Sequence, residues 1–396
     1  MNAPPAIRAL LVDPSLFTGP YDAALTEGLL AAGVDARWAT RPIRQGDRQE
    51  IPLDRVDAFF YRWVDDAAPF PSRVRAAAKG LSHLVGLCRL VARVFKRRPD
   101  IVHFQWTVLP YLDAIAIFAI RLFRPVVLTV HDPVPFNGER RSWLQTAGFD
   151  LPIRLADQVI VHTQSGRRTL LGRGVATEKV AVIAHGPLRL SVPLRKRNDG
   201  PPTNEDRWTF VLFGEMKPYK GFDLLVEALG LLPAAARRRT RVIVAGRPRM
   251  DLAPVIARIS ELGLCDVVEV RPRRLSEGEM AALFDEADCF VFPYRQIDAS
   301  GVYFLVKSLG KWVIATRVGV FAEDLREGAR GALVPVGDAE ALSQALESAV
   351  NARPAAVPVA IADTWSAIGS ATKNLYGQVL ERGQRSTNAP QAVSKL

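Results

Sequence analysis

The chain has 396 residues, 48% of them hydrophobic and 23% charged, which is unlike a disordered or fibrous protein. This length favours two globular domains of roughly 200 residues each. The three cysteines, Cys88, Cys265 and Cys289, lie far apart and outside any CxxC pattern. Their spacing excludes a disulfide framework and a cysteine-based zinc site, and it indicates a reducing compartment.

The net charge of +11 is unevenly distributed along the chain. Residues 1–200 carry 28 Lys and Arg against 18 Asp and Glu, whereas residues 201–396 carry 24 against 23. A basic half suggests a polyanionic partner, but no helix-turn-helix, zinc-finger or RNA-binding signature is present, so we expect no nucleic acid. No signal-peptide pattern or apolar run of spanning length is visible. We therefore expect a cytoplasmic protein, with the inner face of the cell membrane left open as its place of action.

The first half alternates apolar, strand-like runs with helical stretches. The runs are residues 9–12, 34–38, 58–61, 101–104, 126–130, 159–161 and 180–183. Between the third and fourth runs, residues 73–98 interleave arginines and lysines with apolar residues, as in a basic amphipathic helix. Two interpretations remain open for it: contact with an anionic bilayer, or a solvated face whose arginines extend over the domain's own core.

All five histidines of the chain lie in the first half. His83 falls in the basic helix and is predicted to be structural or exposed. Four others, His103, His131, His162 and His185, lie near the ends of predicted strands, so we expect them to line one rim of a sheet.

A polar, Pro- and Arg-rich stretch at residues 188–207 predicts a linker. A second series of strand-like runs follows, at residues 210–213, 242–245, 267–270, 289–292, 312–315 and 332–334, with helical stretches between them. Two successive βα series predict an α/β protein with two Rossmann-like domains facing across a cleft. The end of the chain predicts a helix over residues 365–381 and then a disordered polar tail.

Two loops in the second half are typical of phosphate binding. The loop after the first strand contains Gly214, Lys217, Lys220 and Gly221 just before a helix, without a Walker A or GxGxxG pattern. The other loop ends in Ser300-Gly301, where Ser300 is a natural N-cap and Gly301 allows close backbone approach. The alternatives are two solvated lysines and an ordinary capped core helix.

The segments GEMKPYKGFDLLVEAL, VIVAGRP, ADCFVFPYR…SG and GKWVIATRVGVFAEDL, in this order, resemble the nucleotide-sugar half of family 4 (group 1) glycosyltransferases. The loop itself resembles exopolysaccharide-type members with a PYR…SG donor loop. The resemblance extends to VVLTVHDPVP and KVAVIAHGP and covers most of the chain. It implies the GT-B fold, with an acceptor domain at 1–200, a nucleotide-sugar domain at 201–375, and a helix end and tail at 376–396.

The resemblance also implies roles for individual residues. Lys220 would hold the donor diphosphate at the Gly214 loop. Glu215 occupies the place of the arginine that the family usually has there, and Lys217 would supply the missing positive charge. The backbone at Ser300 and Gly301 would hold the distal phosphate, and Gly246 and Arg247 would pack on the nucleotide. In the first half, His131 would contact the transferred sugar, with Asp132 and Gly19 on the acceptor side. His131 and Lys220 are thus the predicted catalytic residues.

One departure from the family concerns a pair of glutamates eight positions apart, one of which bonds the ribose. Ile297 and Leu305 stand at those positions, and Asp298 is the nearest carboxylate. Without this pair, the sequence does not predict which nucleotide the donor carries.

The predicted function is transfer of a sugar, with retention, from a nucleoside-diphosphate sugar to a hydroxyl of a polysaccharide or lipid-linked glycan. No DxD motif or metal-ligand spacing is present, so neither a cofactor nor a metal is expected. No hydrolase signature is present. Two alternatives remain: a non-catalytic GT-B partner subunit, and a GT-B epimerase or phosphorylase.

Overall fold

The computed structural model describes residues 6–44, 48–64, 72–134, 147–190, 192, 207–325, 330–355 and 364–388. These residues form two compact units. The first contains the described residues up to 134, those from 147 to 186, and the helix at 364–388. The second contains the described residues from 187 to 355.

The first unit is built on a parallel sheet of seven strands in the order β3-β2-β1-β4-β5-β6-β7. Its strands are β1 (Arg8–Asp13), β2 (Asp35–Thr40), β3 (Val56–Ala58), β4 (Ile101–Phe104), β5 (Val126–Val130), β6 (Gln158–Val161) and β7 (Val180–Val182). Strands β4, β5 and β6 are buried along their whole length, as continuous apolar runs in a parallel sheet require.

Six helices belong to the described part of this unit. They are α1 (Gly19–Ala31), α2 (Ser72–Arg97), α3 (Pro110–Arg121), α4 (Asp150–Leu155), α5 (Gln164–Gly172) and a last helix, α13 (Trp365–Asn388). The predicted basic amphipathic helix is α2.

The third strand lies earlier than predicted, at 56–58 instead of 58–61. The N–H groups of Phe59 and Phe60 both donate to the Thr40 carbonyl, which ends regular pairing with β2. The two phenylalanine rings then enter the core. The apolar run at residues 58–61 therefore reflects side chains that pack in the core after the strand has ended, and not the strand itself.

The second unit contains a parallel sheet of six strands in the order β10-β9-β8-β11-β12-β13. The strands are β8 (Trp208–Phe213), β9 (Thr240–Ala245), β10 (Val268–Arg271), β11 (Cys289–Phe292), β12 (Trp312–Thr316) and β13 (Gly331–Val334). Helices α6 (Phe222–Gly230), α7 (Ala234–Arg238), α8 (Ala253–Glu261), α9 (Glu277–Glu286), α10 (Gly301–Ser308), α11 (Gly319–Asp324) and α12 (Ala339–Ala352) connect them. The prediction of two Rossmann-like α/β units is confirmed.

The last helix corrects the predicted domain boundaries. The sequence assigned residues 201–375 to the second domain, whereas α13 packs along α1 in the first unit. Gly28 and Gly369 make this crossing possible, because a Cβ on either would lie about 2 Å from backbone oxygen of the other helix. The helix also continues to Asn388, through residues predicted to be a disordered tail. Arg382 there donates to the Gln158 side chain at 3.2 Å.

Candidate functional site

In the second unit, the loops after β8 and β9 lie against each other at the carboxyl edge of the sheet. Met216 N–H donates to the Arg247 carbonyl, and Arg249 N–H donates to the Met216 carbonyl, both at 2.9 Å. Gly246 has φ +145°, and a Cβ there would lie 2.0 Å from the Gly214 carbonyl oxygen. Gly214 and Gly246 are therefore fixed by close backbone contact, while the side chain of Arg247 is exposed.

Lys220 brings a positive charge to this glycine loop. It ends a short 3₁₀ turn, Pro218–Lys220, and is only 7% exposed. A Cβ placed on Gly214 would lie 2.7 Å from its Nζ and 3.3 Å from the Val302 side chain, in the first turn of α10. The ammonium and the first turn of α10 thus both lie close to Gly214. Burial, helped by the charge of Lys217, lowers the pKa of Lys220 to about 8.

The residues that hold Lys220 in place come from the segment after β11. Gly221 has φ +70°, and a Cβ there would lie 2.0 Å from the Pro293 carbonyl oxygen. The Tyr294 ring lies 5.3 Å from Nζ of Lys220. Arg295 bonds both oxygens of Asp223, at 3.0 and 2.6 Å, and the Pro218 carbonyl. Sequence reasoning missed Tyr294, Arg295 and Asp223 as site residues; the nearest signal was the PYR motif itself.

Glu215 forms ion pairs that reduce the charge which Lys217 was expected to bring to the diphosphate. Its carboxylate pairs with Lys217 at 3.2 Å and with Arg249 at 2.8 Å. Partial burial alone would raise the pKa of Glu215, but Arg249 and Lys217 hold it below its usual range. Part of the charge of Lys217 is therefore balanced locally, and Lys220 is the principal cation next to Gly214.

Ser300 and Gly301 begin α10 as predicted. Ser300 is buried, and its hydroxyl accepts the Tyr303 N–H at 3.4 Å. Among the described residues, a Cβ on Gly301 would meet only a Leu188 methyl, at 3.7 Å, so these residues leave space in front of Gly301. The first N–H groups of a helix have no partner within it, and they attract an anion.

Asp298 supports this loop through its backbone. Its carbonyl accepts the Val320 N–H at 2.8 Å, and its side chain is half-buried. Leu305 lies in the hydrophobic core of the unit, and Ile297 packs against that core. The two positions where the family keeps glutamates are therefore apolar packing positions in this chain.

In the first unit, three of the four strand-end histidines meet around one tyrosine ring. The Tyr21 ring lies 4.9, 5.5 and 4.8 Å from the rings of His131, His162 and His185. All three histidines are buried, so the predicted rim is an internal cluster. The Trp106 ring stacks on His131 at 4.8 Å with an interplanar angle of 12°.

The hydrogen bonds of this cluster define which nitrogen of His131 is free to accept. Burial lowers the pKa of His162 to about 4, and burial with neighbouring histidines lowers that of His131 well below its usual value. Both rings are therefore neutral. His162 Nδ1 lies 3.0 Å from the Ile183 carbonyl, an acceptor only, so Nδ1 carries the proton and Nε2 accepts from His131 Nδ1 at 3.1 Å. His131 Nε2 is left as a buried acceptor with no partner among the described residues.

A buried carboxylate pair lies where α1 begins. Asp13, at the end of β1, accepts the N–H groups of Ser15 and Phe17 at 3.1 and 2.7 Å. Burial raises the pKa of Asp13, and burial together with Asp13 raises that of Asp22 well above its usual value. Thr18 connects this pair to Trp106, whose indole N–H donates to the Thr18 hydroxyl at 3.0 Å.

Gly19 is the first residue of α1, and Asp132 is half-buried directly after His131. Sequence reasoning missed Tyr21, Trp106, Asp13 and Asp22, which carry no motif of their own.

The remaining histidines are structural. His103 is hydrogen-bonded to Tyr376 of α13 at 2.6 Å and to Thr129 at 2.8 Å, and burial lowers its pKa to about 3. His83 is buried between Tyr61 and Asp113, at 2.8 and 2.9 Å. Within the described residues, no group of three His, Cys, Asp or Glu side chains is arranged to hold a metal ion.

Comparison with known families gives a match in each unit. A family model described as Glycosyltransferase Family 4 matches residues 23–186. A second, described as Glycosyl transferases group 1, matches residues 207–352. A GDP-mannose-dependent alpha-(1-6)-phosphatidylinositol monomannoside mannosyltransferase of Mycolicibacterium smegmatis is 31% identical over 148 residues. That stretch is 36% of this chain and only 38% of that protein.

Solved structures share the fold over nearly the whole chain. Anabaena HepE in complex with UDP superimposes with a TM-score of 0.64 at 16% identity, over 96% of this chain and 99% of that one. The catalytic domain of Arabidopsis thaliana starch synthase IV, bound to ADP and acarbose, gives 0.67 at 12% identity, over 96% and 100%. These likenesses establish the type of fold, as the sequence predicted.

Proposed function

Because the chain belongs to the group 1 glycosyltransferases of the GT-B fold, we propose that it transfers a sugar from a nucleoside-diphosphate sugar to an acceptor hydroxyl. The observation that carries this proposal is the buried ammonium of Lys220, held next to the Gly214 backbone and the first turn of α10. A buried cation beside a helix N-terminus suits a diphosphate better than any neutral ligand. The UDP complex of HepE supports this class of donor.

In the proposed reaction, the bond between the anomeric carbon and the diphosphate oxygen breaks as the acceptor oxygen bonds to that carbon. Negative charge grows on the departing diphosphate, where Lys220 and the N–H groups at Ser300 and Gly301 would stabilise it. The acceptor proton passes to the departing phosphate, so no separate strong base is required. We propose retention at the anomeric carbon.

His131 and its surroundings fit a contact with a sugar hydroxyl. Neutral His131 presents an acceptor at Nε2, held in this tautomer by His162. A sugar hydroxyl can donate to such a nitrogen, and the Trp106 and Tyr21 rings on either side give it apolar walls. Asp132 and Gly19 are assigned to the acceptor side.

We further propose a glycan or lipid-linked acceptor, of the exopolysaccharide type, used in the cytoplasm at the inner face of the membrane. The Mycolicibacterium relative is named for transfer to a phosphatidylinositol mannoside, which is a lipid-borne glycan. The surplus of basic residues in the first half agrees with such a setting.

The test is release of nucleotide from a panel of UDP-, GDP-, ADP- and TDP-sugars, with and without a lipid-linked acceptor. Lys220→Ala is expected to lower turnover at least about 100-fold, as loss of one oxyanion-stabilising group does in other enzymes. Arg238→Ala, which removes an exposed charge on the same unit, is the matched control. Unchanged turnover in Lys220→Ala would refute the diphosphate assignment. Addition of EDTA is expected to leave the rate unchanged, because Lys220 supplies the positive charge.

One observation favours a rival. Residues 297 and 305 are apolar where the family keeps a pair of glutamates, and a partner subunit without turnover has no need of that pair. Such a subunit would show nucleotide binding by calorimetry but no nucleotide release with any donor. An epimerase or phosphorylase would instead be recognised by its product, through NMR of the sugar after the reaction.

A further inference from the structure

The outer face of α2 carries an exposed apolar stripe. Val74, Leu81, Leu84 and Phe95 are between 41% and 57% exposed. Their spacing of seven, three and eleven residues places them on one side of the helix. The opposite side, with Leu87, Leu90 and Val94, is buried in the unit's own core. The core therefore accounts for one face of α2 and leaves the other uncovered among the described residues.

A second stripe lies on α3, which the sequence did not single out. Tyr111, Ile115, Phe118 and Leu122 recur at helical spacing and are between 47% and 67% exposed. Phe123, 50% exposed, contacts Phe95 edge-to-face at 5.5 Å, so the stripes meet at their C-terminal ends. Nine large apolar side chains thus form one two-helix face, which is far more than the scattered exposed residues of a typical surface.

The charged side chains of α2 are all basic, and Asp57 outside the helix pairs with two of them, Arg93 at 2.7 Å and Arg97 at 3.0 Å. Residues 72–97 contain seven Lys and Arg and no Asp or Glu. Arg89, Lys96 and Arg97 are exposed beside the stripe. The one acidic residue of α3, Asp113, is buried against His83. Solvated arginines would explain the charges but not the exposed Phe95, Ile115 and Phe118.

We infer that the two-helix face of α2 and α3 binds the surface of an anionic phospholipid bilayer. The apolar stripes would enter the boundary between headgroups and acyl chains, while the basic side chains contact lipid phosphates. No helix among the described residues is long and apolar enough to span a bilayer, so the association is peripheral. This inference deepens the proposed function by adding a membrane surface to it. It rests on the proposed function only where it assumes a lipid-linked acceptor.

An open cavity continues the face at its C-terminal end. Leu122 and Phe123 line one side of it, and Val379 and Leu380 of α13 line another. Its charged lining residues are Arg8, Arg121, Arg124, Arg382, Asp100 and Asp157. Asp100 pairs with Arg8 at 2.9 Å, and Asp157 pairs with Arg121 at 2.6 Å. The four arginines outnumber the two aspartates, so apolar walls and a surplus of positive charge in one cavity suit an anionic lipid, with acyl chain and phosphate in one molecule.

The experiment is co-sedimentation of the full chain with vesicles of phosphatidylcholine, with and without phosphatidylglycerol, at low and high salt. Wild type is expected to bind only the anionic vesicles, and less at high salt. Ile115→Ser with Phe118→Ser should lower the partition coefficient at least about tenfold, since each large apolar side chain contributes about that factor. Leu53→Ser is the control, because Leu53 is 72% exposed outside α2 and α3.

A second pair tests the charge. Arg89→Glu with Lys96→Glu should abolish binding to anionic vesicles, whereas Arg168→Glu with Arg238→Glu makes the same change of net charge elsewhere and should not. Equal losses in both pairs would overturn the proposal. So would no vesicle binding by wild type, or a wild-type dimer that Ile115→Ser with Phe118→Ser converts to monomer, since the face would then join two copies. Nucleotide release by the same variants, measured without vesicles, reports separately on the proposed function.

Discussion

If Lys220 holds the donor diphosphate as proposed, this one buried residue sets the pH range of donor binding. Its pKa of about 8 means that the free protein carries the ammonium below that pH and loses it above. A bound diphosphate favours the charged form. We therefore expect kcat/KM for the donor to be constant below pH 8 and to fall about tenfold per pH unit above it.

The matched variant is Lys220→Arg, because a guanidinium stays charged throughout this range. Its absolute activity should be lower, since the planar group does not fit the space beside Gly214. Its kcat/KM for the donor, however, should stay constant above pH 8, where that of wild type declines. An identical decline in both proteins would assign the titration to another group.

Gly301 offers a test in which stability and binding separate. A Cβ there meets nothing closer than 3.7 Å among the residues that the structure describes, so Gly301→Ala should leave the melting temperature unchanged or higher. If a phosphate lies against this backbone, the methyl group should weaken donor binding at least about tenfold. Isothermal titration calorimetry with the nucleotide measures this. An unchanged affinity for the nucleotide would contradict the placement of a phosphate at the start of α10.

At this scale, the sequence singled out the residues of the two loops proposed to bind phosphate, but not how these residues are held. Lys220 and Ser300 could be found because each follows a strand and precedes a helix. The bonds that Arg295 donates to Asp223 join residues 72 positions apart, and the bond that Arg249 donates to Glu215 joins residues 34 positions apart. Contacts of this kind depend on the sheet order, which no local pattern contains.

Among the secondary-structure elements, the crossing of α1 and α13 depends on two glycines. A Cβ at Gly28 would lie 2.1 Å from the Trp365 carbonyl oxygen, and one at Gly369 would lie 2.0 Å from the Gly28 oxygen. Either alanine substitution should cost about 1–3 kcal/mol in the free energy of unfolding, because the helices must move apart. Urea denaturation measures this.

Gly377→Ala is the control on the same helix. No atom of the described part of the chain lies within 4 Å of a Cβ there, so alanine should stabilise the protein by up to about 1 kcal/mol through helix propensity. The sequence predicted both helices from their periodicity. It could not predict that they pack together, because Gly28 and Gly369 are more than 300 positions apart and resemble any other helix glycine.

For the whole molecule, the last helix makes the first unit discontinuous in sequence. Removal of residues 364–396 would uncover the α1 face and delete Tyr376, which is fully buried and bonded to His103. The first unit should then lose protection in hydrogen exchange, while residues 207–355 keep theirs. Equal protection of the first unit in both proteins would contradict this.

Tyr376→Phe gives a graded comparison for the truncation. It keeps the ring in place and removes only the hydrogen bond to His103, so it should cost about 1 kcal/mol. A cost as large as that of the truncation would mean that this single bond, and not the packing of α13, holds the unit together.

The return of α13 also has a consequence for synthesis on the ribosome. Residues 6–186 emerge before the second unit, yet the side of α1 that needs α13 stays uncovered until the second unit has also been made. The second unit has its full set of strands and helices by residue 355, before that partner exists. The half that is translated first is therefore the half that finishes folding last, and a ribosome that stops early releases it incomplete.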